Sequence, residues 1–515
     1  MRGSTQDGGT GRLGLYCASL LLGATLSGCA SHHGAVVDDV GDFREVTAAD
    51  PATYSAPVGK RQGQGLRRAA GVSQAAVLYA RSVYVDPISR PVSNVTALAS
   101  WALKSTFGFF RRIGLATVRE PLLGRLPLTP LAHGDGMDLT QWERDLDDIV
   151  GRKSSSGQID FLVDGEQYFP RLLESFDGAR ESIDMRTYIF DNDDYAVAVA
   201  DVLKDKSADV RVRIQIDALG NLMAMQADPA SMPKGHVGPL SIADHLRQDS
   251  TIKVRNRANP YMYIGDHTKS TIVDGRTAFV GGMNIGREYR YEWHDLMMEV
   301  TGPIVDQLQH DSDKAWARAS IFGDAANLVA ILRGKKHRAD DHGYPVRALY
   351  TRNFDSEIYR AQVEAIRRSQ SYILIENSYF SDDLITYELA KARRRGVDVR
   401  VIMPEAGNHE SLHASNQVAI NTLLDNGIRV YIYPGMTHVK AAIFDGWACV
   451  GSANFDKLSL EVNKELNLAT SDSATVNELL DRVFMPDLAR SEEVTDRVGV
   501  TFAQVLAERA VDEFL

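Results

Sequence analysis

The stretch His438-Val-Lys440-Ala-Ala-Ile-Phe-Asp445-Gly446, followed by Gly451-Ser452-Ala453-Asn454, occurs in two versions in this 515-residue chain. The earlier version is His267-Thr-Lys269-Ser-Thr-Ile-Val-Asp274-Gly275, followed by Gly281-Gly282-Met283-Asn284. A single H-x-K-x4-D pattern is weak, because chance gives on the order of a few hundredths of a match in a chain of this length. Two copies with the same G-x-x-N tail indicate an internal repeat that carries chemistry.

The spacing within each copy brings its polar side chains together. A histidine and a lysine two residues apart in a strand point to the same face. The apolar residues that follow predict a buried strand, and the Asp-Gly pair predicts a tight hairpin turn. Each copy therefore presents an imidazole, an ammonium and a carboxamide: His267, Lys269 and Asn284 in the first, His438, Lys440 and Asn454 in the second. The glycines let a ligand approach the backbone, so N–H groups near Gly282 and Ser452 are expected to add donors.

A carboxylate follows each copy at a matched distance. Asp295 lies eleven residues after Asn284, and Glu465 lies eleven residues after Asn454. A carboxylate beside a histidine holds the ring in one tautomer and stabilises its charged form. We therefore predict that Asp295 and Glu465 orient the two histidines.

The double motif resembles the phospholipase D superfamily, and residues 281–289 and 454–465 are most similar to its bacterial cardiolipin synthase branch. The resemblance covers about residues 157–485. It implies two phospholipase D-like repeats related by a pseudo-two-fold, with one active site between them. It also implies that His267 is the nucleophile and His438 the acid and base, whereas the residues alone leave the two halves nearly equivalent. Asp274 and Asp445 complete the family's catalytic motif, although their turn positions suggest a structural role.

Strand and helix patterns alternate around the two motifs. The first repeat has predicted strands at 159–163, 182–190, 210–217 and 252–255, with helices at 168–179 and 195–204. The second has predicted helices at 356–369, 383–395 and 416–426, each followed by a strand, at 372–376, 399–403 and 429–433. This alternation predicts an α/β fold in which each repeat is a mainly parallel sheet flanked by helices. The predicted repeats occupy residues 151–335 and 336–515.

The amino terminus has the features of a secreted lipoprotein. Arg2 and Arg12 precede an apolar stretch too short to span a bilayer as a helix, so residues 1–28 predict a signal peptide. It ends in Leu-Ser-Gly-Cys29, which resembles a bacterial lipoprotein cleavage box with Cys29 as the lipidated residue. Residues 29–75 predict a flexible tether. We expect a location on the periplasmic side of a bacterial membrane, with the outer membrane favoured and the inner membrane as the alternative.

Residues 76–150 predict a mostly helical region. Within it, four aromatic residues mix with three basic ones: Trp101, Phe107, Phe109 and Phe110 with Lys104, Arg111 and Arg112. The expected arrangement is a helix that packs its aromatic side chains on the catalytic body. The alternative is an amphipathic helix that lies in a membrane interface.

Composition restricts the partners. The net charge of -11 argues against a general polyanion binder, so no nucleic acid is expected. Cys449 is the single cysteine downstream of Cys29, lies in an apolar strand and should be buried without a disulfide. No Cys/His cluster has zinc spacing, so neither a metal nor a cofactor is predicted. The sequence leaves the oligomeric state open.

These residues suit phosphodiester chemistry on a lipid. Lysines and asparagines can stabilise charge on phosphate oxygens, while one histidine attacks phosphorus and the other protonates the departing alcohol. The first hypothesis is a phosphatidyltransferase of the cardiolipin synthase type that acts on membrane phospholipids through a phosphohistidine. The alternatives are a phospholipase D hydrolase, a periplasmic nuclease and a non-catalytic lipid-binding lipoprotein.

Overall fold

The computed structural model describes residues 76–501, apart from 78–79, 82, 133, 225–227, 234, 258–263, 335–339, 341 and 408–409. The predicted signal peptide, the tether and Cys29 lie outside the described residues. No helix in the described part of the chain is both long and apolar enough to cross a membrane.

Helices lead into the first repeat. They are α1 (Asp86–Ser89), α2 (Pro91–Gly114), α3 (Glu120–Leu123) and α4 (Leu139–Val150), and α2 continues into a π-helical turn, Leu115–Arg119. Asp138 caps α4 by accepting a 3.0 Å hydrogen bond from the backbone N–H of Gln141. Trp142 of α4 packs edge-on against Trp447 with ring centroids 5.2 Å apart, which attaches this helix to the second repeat.

The aromatic residues of α2 do not pack on the body as expected. The side chains of Phe107 and Phe110 are 71% and 65% exposed, and Trp101 and Phe109 are also exposed. The expectation of a helix that buries its aromatic side chains is therefore wrong. The residues of α2 that face the protein are small or polar, including Asn94, Ala97 and Ser100.

The first repeat supplies seven strands to the described structure. They are β1 (Ser155–Val163), β2 (Ser182–Thr187), β3 (Arg211–Asp217), β4 (Lys253–Arg257), β5 (Ser270–Val273), β6 (Thr277–Gly281) and β7 (Leu296–Thr301). Its helices are α5 (Asp164–Gly178), α6 (Asp194–Lys206), α7 (Ala218–Ala224), α8 (Ile242–Arg247), α9 (Arg287–Tyr291), α10 (Ile304–Arg318) and α11 (Gly323–Arg333).

The second repeat follows the same plan. Its strands are β8 (Tyr344–Arg352), β9 (Asp355–Ser356), β10 (Tyr372–Asn377), β11 (Asp398–Pro404), β12 (Arg429–Tyr433), β13 (Lys440–Phe444), β14 (Trp447–Gly451), β15 (Glu465–Thr470) and β16 (Glu492–Val494). Its helices are α12 (Glu357–Arg368), α13 (Asp383–Arg394), α14 (Glu410–Asp425), α15 (Ser473–Leu479) and α16 (Met485–Arg490), with π-helical turns at Leu458–Val462 and Leu480–Phe484.

All these strands belong to one sheet, whose order displays the pseudo-symmetry. The order is β16-β12-β11-β10-β13-β14-β15-β8-β1-β7-β6-β5-β2-β3-β4, and β9 pairs with β8 off this path. The two halves meet where β1 pairs antiparallel with β8, with Ser155 opposite Val346. From this junction outward, both halves present their equivalent strands in the same sequence.

The prediction of a mainly parallel sheet needs correction, because the sheet is mixed. The parallel pairs are β2-β3, β3-β4, β10-β11 and β11-β12, each joined through helices. Hairpins and direct returns connect β5 to β7 and β13 to β15, and a hairpin makes its strands antiparallel. The motif strands therefore enter the sheet antiparallel to β2 and β10.

One hydrophobic cluster joins the repeats. It contains Phe161 and Val300 from the first repeat and Leu466 and Tyr433 from the second, all buried. Cys449 is buried with a free thiol in a neighbouring cluster, as predicted. A core common to both halves holds the loops before β5 and β13 in fixed relation to each other.

Candidate active site

The two motif histidines lie just before β5 and β13, where segments of the two repeats cross. The backbone N–H of His267 donates to the carbonyl of Lys464 over 2.9 Å, and that of His438 donates to the carbonyl of His294 over 2.6 Å. Isolated bridges at Asp266–Lys464 and His294–Thr437 extend both contacts. Each histidine is thus held by the segment that precedes the other repeat's carboxylate.

The carboxylates are exchanged between the repeats. Nδ1 of His267 lies 3.0 and 3.1 Å from the two carboxylate oxygens of Glu465. Nδ1 of His438 lies 2.6 Å from Oδ2 of Asp295. The matched spacing in the sequence indicated the right carboxylates but not this exchange. Because Nδ1 of each ring is bonded to a carboxylate, Nε2 is the nitrogen left to face a ligand.

Both motif lysines are buried beside the histidines. Nζ of Lys269 donates to the carbonyl of His267 over 2.8 Å. Nζ of Lys440 donates to the carbonyl of His438 over 2.6 Å and to Oγ of Ser378 over 3.0 Å. Burial lowers the pKa of Lys269 to about 7 and that of Lys440 to about 8, against the attraction of Glu465 and Asp295. An arriving phosphate would stabilise both positive charges.

Burial and like charges act on the histidines in the same direction. Burial, with the charges of Lys269 and Lys440, holds the pKa of His267 well below its usual range. Burial and the same two lysines hold the pKa of His438 well below its usual range. The empty site therefore favours neutral imidazoles at neutral pH.

Burial has the opposite effect on the two carboxyl groups. It raises the pKa of Asp295 to about 7 and that of Glu465 to about 8, although the nearby lysines oppose this rise. Oγ of Ser452 donates to Oε2 of Glu465 over 2.5 Å, and the N–H of Leu296 donates to Oδ1 of Asp295 over 2.7 Å. These bonds fix the carboxyl planes against the imidazoles.

The two motif asparagines differ in their contacts. Oδ1 of Asn284 accepts a 3.0 Å bond from the N–H of Ile189, and its Nδ2 donates to the hydroxyl of Tyr289 over 2.8 Å. The buried Oδ1 of Asn454 has no hydrogen-bond partner among the described residues. The two carboxamides are therefore not equivalent in this structure.

The expected backbone donors are already engaged. The N–H of Gly282 donates to the carbonyl of Leu296, and that of Ser452 to the carbonyl of Leu466, both over 3.0 Å. The structure therefore does not offer these two N–H groups to a ligand. The two residues support the carboxyl groups instead: a Cβ at position 282 would overlap Oδ1 of Asp295, while the Ser452 hydroxyl bonds Glu465.

Asp274 and Asp445 lie at the opposite ends of β5 and β13 from the histidines. Both have positive φ, 55° and 48°, in the predicted turns. The carboxylate of Asp274 accepts bonds of 2.7 to 2.9 Å from the N–H groups of residues 180–182. That of Asp445 accepts bonds of 2.6 to 3.1 Å from the N–H groups of residues 370–372. Their inclusion among the catalytic residues is therefore corrected: they tie the motif strands to the starts of β2 and β10.

The site therefore combines two imidazole–carboxyl pairs with two buried lysines, and two repeats with the same strand plan supply them. A family model described as "Cardiolipin synthase, PLD-like domain" matches residues 172–316 and 363–487, just over half of the chain. This chain belongs to the phospholipase D superfamily, in its cardiolipin synthase branch.

Similar proteins agree with this membership. Cardiolipin synthase A of Pseudomonas fluorescens (strain SBW25) is 27% identical over 364 residues, which cover 66% of this chain and 70% of that protein. Probable cardiolipin synthase YwiE of Bacillus subtilis (strain 168) is 28% identical over 378 residues, 70% of this chain and 71% of that protein. Phosphatidylserine synthase from Haemophilus influenzae Rd KW20 has a similar fold, with a TM-score of 0.53 and 14% identity over 77% of this chain and 99% of that one.

The sequence analysis did not identify several residues that surround this phospholipase D-type site. The ring of Tyr188 lies edge-on to His267 at 4.8 Å, and Trp293 lies 5.3 Å from the ring of His438. Tyr188 follows β2 as Ser378 follows β10, so alignment of the repeats is a signal that could have found both. Arg186 holds Asp266, next to His267, with a bond of 2.7 Å, and no spacing rule connects those two residues.

One group beside the phospholipase D-type site has the residue types of a metal centre. The ligand atoms of His294, Glu376 and Asp487 lie within 4.8 Å of one another, and all three are buried. However, Nδ1 of His294 is 2.7 Å from Asp164 and its Nε2 is 3.0 Å from Asp487. Despite burial, the charges of Asp164 and Asp487 raise the pKa of His294 well above its usual range. An imidazolium bonded at both nitrogens has no lone pair for a metal.

Replacement of Gly282 by alanine is expected to move Asp295 away from His438. The added methyl overlaps Oδ1 of Asp295, and Gly282 is buried with its N–H bonded to the carbonyl of Leu296, so overpacking should cost about 1–3 kcal/mol of unfolding free energy. Activity should fall together with the melting temperature, as measured by turnover and thermal unfolding. The matched control is Gly178→Ala, where a Cβ meets nothing within 4 Å. A Gly282→Ala protein as stable and active as the control would contradict the packing argument.

Proposed function

We propose that this protein is a phosphatidyltransferase of the cardiolipin synthase type, which transfers a phosphatidyl group between phospholipids through a phosphohistidine. The observation that carries the proposal is the crossed arrangement of His267–Glu465 and His438–Asp295 around two buried lysines. Two imidazoles with fixed Nδ1 atoms supply a nucleophile and a proton donor for one phosphodiester. Phospholipids are the substrates that membership of this branch favours.

The first step forms a bond between phosphorus and His267. Nε2 of His267 attacks phosphorus, and the bond from phosphorus to the leaving alcohol oxygen breaks. Nε2 of His438 gives its proton to that oxygen. The positive charge that develops on His267 favours the ionised form of Glu465, which stabilises that charge as a carboxylate does for an attacking imidazole.

The second step reverses these roles. Nε2 of His438, now neutral, takes the proton of an acceptor hydroxyl, and the acceptor oxygen attacks phosphorus. The bond between phosphorus and His267 breaks, so His267 returns to its neutral form. His438 is protonated again for the next cycle, with Asp295 stabilising its charge.

Charge compensation comes from the protein's own cations. Lys269 and Lys440 are both buried, and their charges act on the pKa values of both histidines. A bound phosphate would neutralise the two ammonium groups. It would thereby raise the pKa of His438 and favour the protonated form of that ring. Negative charge that spreads over the phosphoryl oxygens in the transition state meets two ammonium groups in a water-poor site. Asn454, the buried asparagine in the tail of the second motif, is the proposed additional hydrogen-bond donor to phosphate.

We also propose that Cys29 carries lipid and holds the enzyme on the periplasmic side of a bacterial membrane. The support is the leader at residues 1–28 and the cleavage-box resemblance at Cys29. A lipidated tether would restrict the enzyme to bilayer substrates.

The deciding experiment supplies phosphatidylglycerol vesicles to the purified protein in the presence of a chelator. The expected products are cardiolipin and glycerol, formed without a divalent ion because lysines rather than a metal supply the positive charge. Phosphatidic acid as the main product would indicate water as the acceptor and a hydrolase instead. Faster cleavage of a DNA diester than of lipid would indicate a nuclease. Turnover only after a divalent ion is added back would contradict the role of the lysines, and no turnover with or without that ion would indicate a binding protein.

A further inference from the structure

Helix α2 places its polar side chains against the protein and its apolar side chains outward, the reverse of a helix on a water-facing surface. Its protein-facing positions carry Asn94, Ser100, Lys104 and Arg111, while the outward positions carry valine, leucine and phenylalanine. Ser100 accepts a 2.8 Å bond from the N–H of Phe354. Surface helices of water-soluble domains show the opposite pattern, with the apolar side facing the core.

Polar contacts hold this inverted helix on the rim of the site. Nζ of Lys104 donates to the carbonyl of Glu461 over 2.6 Å, and the guanidinium of Arg111 bonds the Glu461 carboxylate over 2.6 Å. Ala97 packs with Ile264 and Val462, which lie three residues before His267 and Glu465 respectively. The outward face of α2 therefore has a fixed position relative to the catalytic groups.

Helix α11 extends the same apolar surface. The carboxylate of Asp324 accepts bonds from the N–H groups of Val92 and Ser93 over 2.8 and 2.9 Å, so it caps α2. The side chains of Phe322 and Leu332 are 69% and 77% exposed. We call the exposed apolar side chains of residues 92–113 and 321–332 the apolar platform. Exposed apolar side chains concentrated on two adjoining helices are typical of an interaction site.

The charge of the residues beside the apolar platform indicates what kind of surface it binds. Residues 76–132 contain seven lysines and arginines, of which four bond within the protein: Arg90 with Asp86, Lys104 and Arg111 with Glu461, and Arg112 with Asp383. Arg119 and Arg125 are exposed just beyond α2. Apolar and aromatic side chains bordered by basic residues match the acyl region and the anionic headgroups of a bilayer.

We propose that the apolar platform docks the enzyme on an anionic phospholipid surface, with the platform side chains among the acyl chains and the neighbouring Arg119 and Arg125 at the headgroups. This surface is separate from any lipid on Cys29, and it sets the orientation of the active site relative to the bilayer. The proposal rests on the proposed lipid substrate for its role in catalysis, but docking itself needs no turnover.

The test measures vesicle binding of the full chain with Cys29→Ser, so that acylation cannot contribute. The platform variant carries Phe107→Ser, Phe110→Ser and Leu332→Ser, and the control carries Val237→Ser, Leu240→Ser and Met485→Ser, which are exposed apolar residues outside the platform. We expect sedimentation with phosphatidylglycerol vesicles to exceed that with phosphatidylcholine vesicles. The platform variant should partition about 100-fold more weakly, whereas the control should bind as the parent does. Equal binding by the platform variant and the control would overturn the proposal.

A local measurement keeps the proposal testable if another segment also anchors the chain. Brominated phosphatidylglycerol should quench the fluorescence of Trp101 on α2, taken as the difference between the parent and Trp101→Phe. Absent quenching in vesicle-bound protein would overturn the proposal. A blue-shifted Trp101 signal without lipid would also overturn the proposal. A blue shift that depends on protein concentration would indicate that a second copy of the chain covers the platform. A blue shift that does not would indicate that another segment of the same chain covers it. The His267→Ala protein should bind equally well, so loss of catalysis alone would count against the proposed function only.

Discussion

His267→Ala is expected to lower turnover by at least about 10³-fold and to yield no covalent intermediate, because it removes the atom that bonds phosphorus. His438→Ala should lose a similar factor with natural lipids, since the leaving alkoxide then departs without a proton. With a nitrophenyl phosphodiester, whose leaving group needs no proton, His438→Ala should still form the phosphohistidine. Its second step lacks a base, so the intermediate should accumulate.

The measurement is rapid acid quenching followed by mass analysis of the peptides that contain each histidine. An adduct on His438 in the His267→Ala protein would reverse the assignment of roles. The absence of an adduct in both variants, with both still active, would contradict the covalent mechanism.

The same assignment sets the pH dependence. His267 must be neutral to attack, and burial together with the lysines holds its pKa below the usual value, so kcat/KM should fall only below about pH 6.5. The lysines must be charged to bind phosphate, and their pKa values of about 7 and 8 mean that this charge is lost as the pH rises. The profile of kcat/KM should therefore be bell-shaped, and Lys269→Arg, which replaces the lysine with the lower pKa, should move the alkaline limb upward.

Glu465→Gln and Asp295→Asn are each expected to lower turnover by up to about 10⁴-fold, the loss seen when a carboxylate that orients a catalytic imidazole is replaced by an amide. Because each carboxylate contacts the histidine of the other repeat, each carboxylate variant should show the same kinetic defect as the alanine variant of the histidine that the carboxylate contacts. Asp295→Asn should accumulate phosphohistidine with the nitrophenyl substrate, as His438→Ala does. Glu465→Gln should slow its formation, as His267→Ala does.

A buried carboxylate elsewhere supplies the control. Glu388 of α13 is buried and bonds Arg367 over 2.9 Å outside the site, so Glu388→Gln should lower stability without changing which step limits the reaction. If Asp295→Asn instead blocked formation of the intermediate and Glu465→Gln let it accumulate, each carboxylate would serve the histidine of its own repeat. That outcome would contradict the crossed geometry.

The sequence by itself determined the local parts of this protein. The period-2 spacing of His267 and Lys269 identified one strand face, the Asp-Gly pairs identified the turns at Asp274 and Asp445, and the repeated pattern identified two equivalent halves. These features depend on residues that are close in the chain, where backbone geometry alone sets direction. Membership of the superfamily and the α/β class followed from them and are confirmed.

Relations between distant segments came only from the tertiary structure. The exchange of Asp295 and Glu465 arises because the pseudo-two-fold brings the segment before each carboxylate against the opposite motif, and spacing within one repeat carries no information about its neighbour. The mixed sheet follows from returns that a strand pattern cannot orient. The outward direction of Phe107 depends on which side of α2 meets the body. Its apolar pattern has the same period whether it faces a protein core or a bilayer, so only packing could distinguish the two.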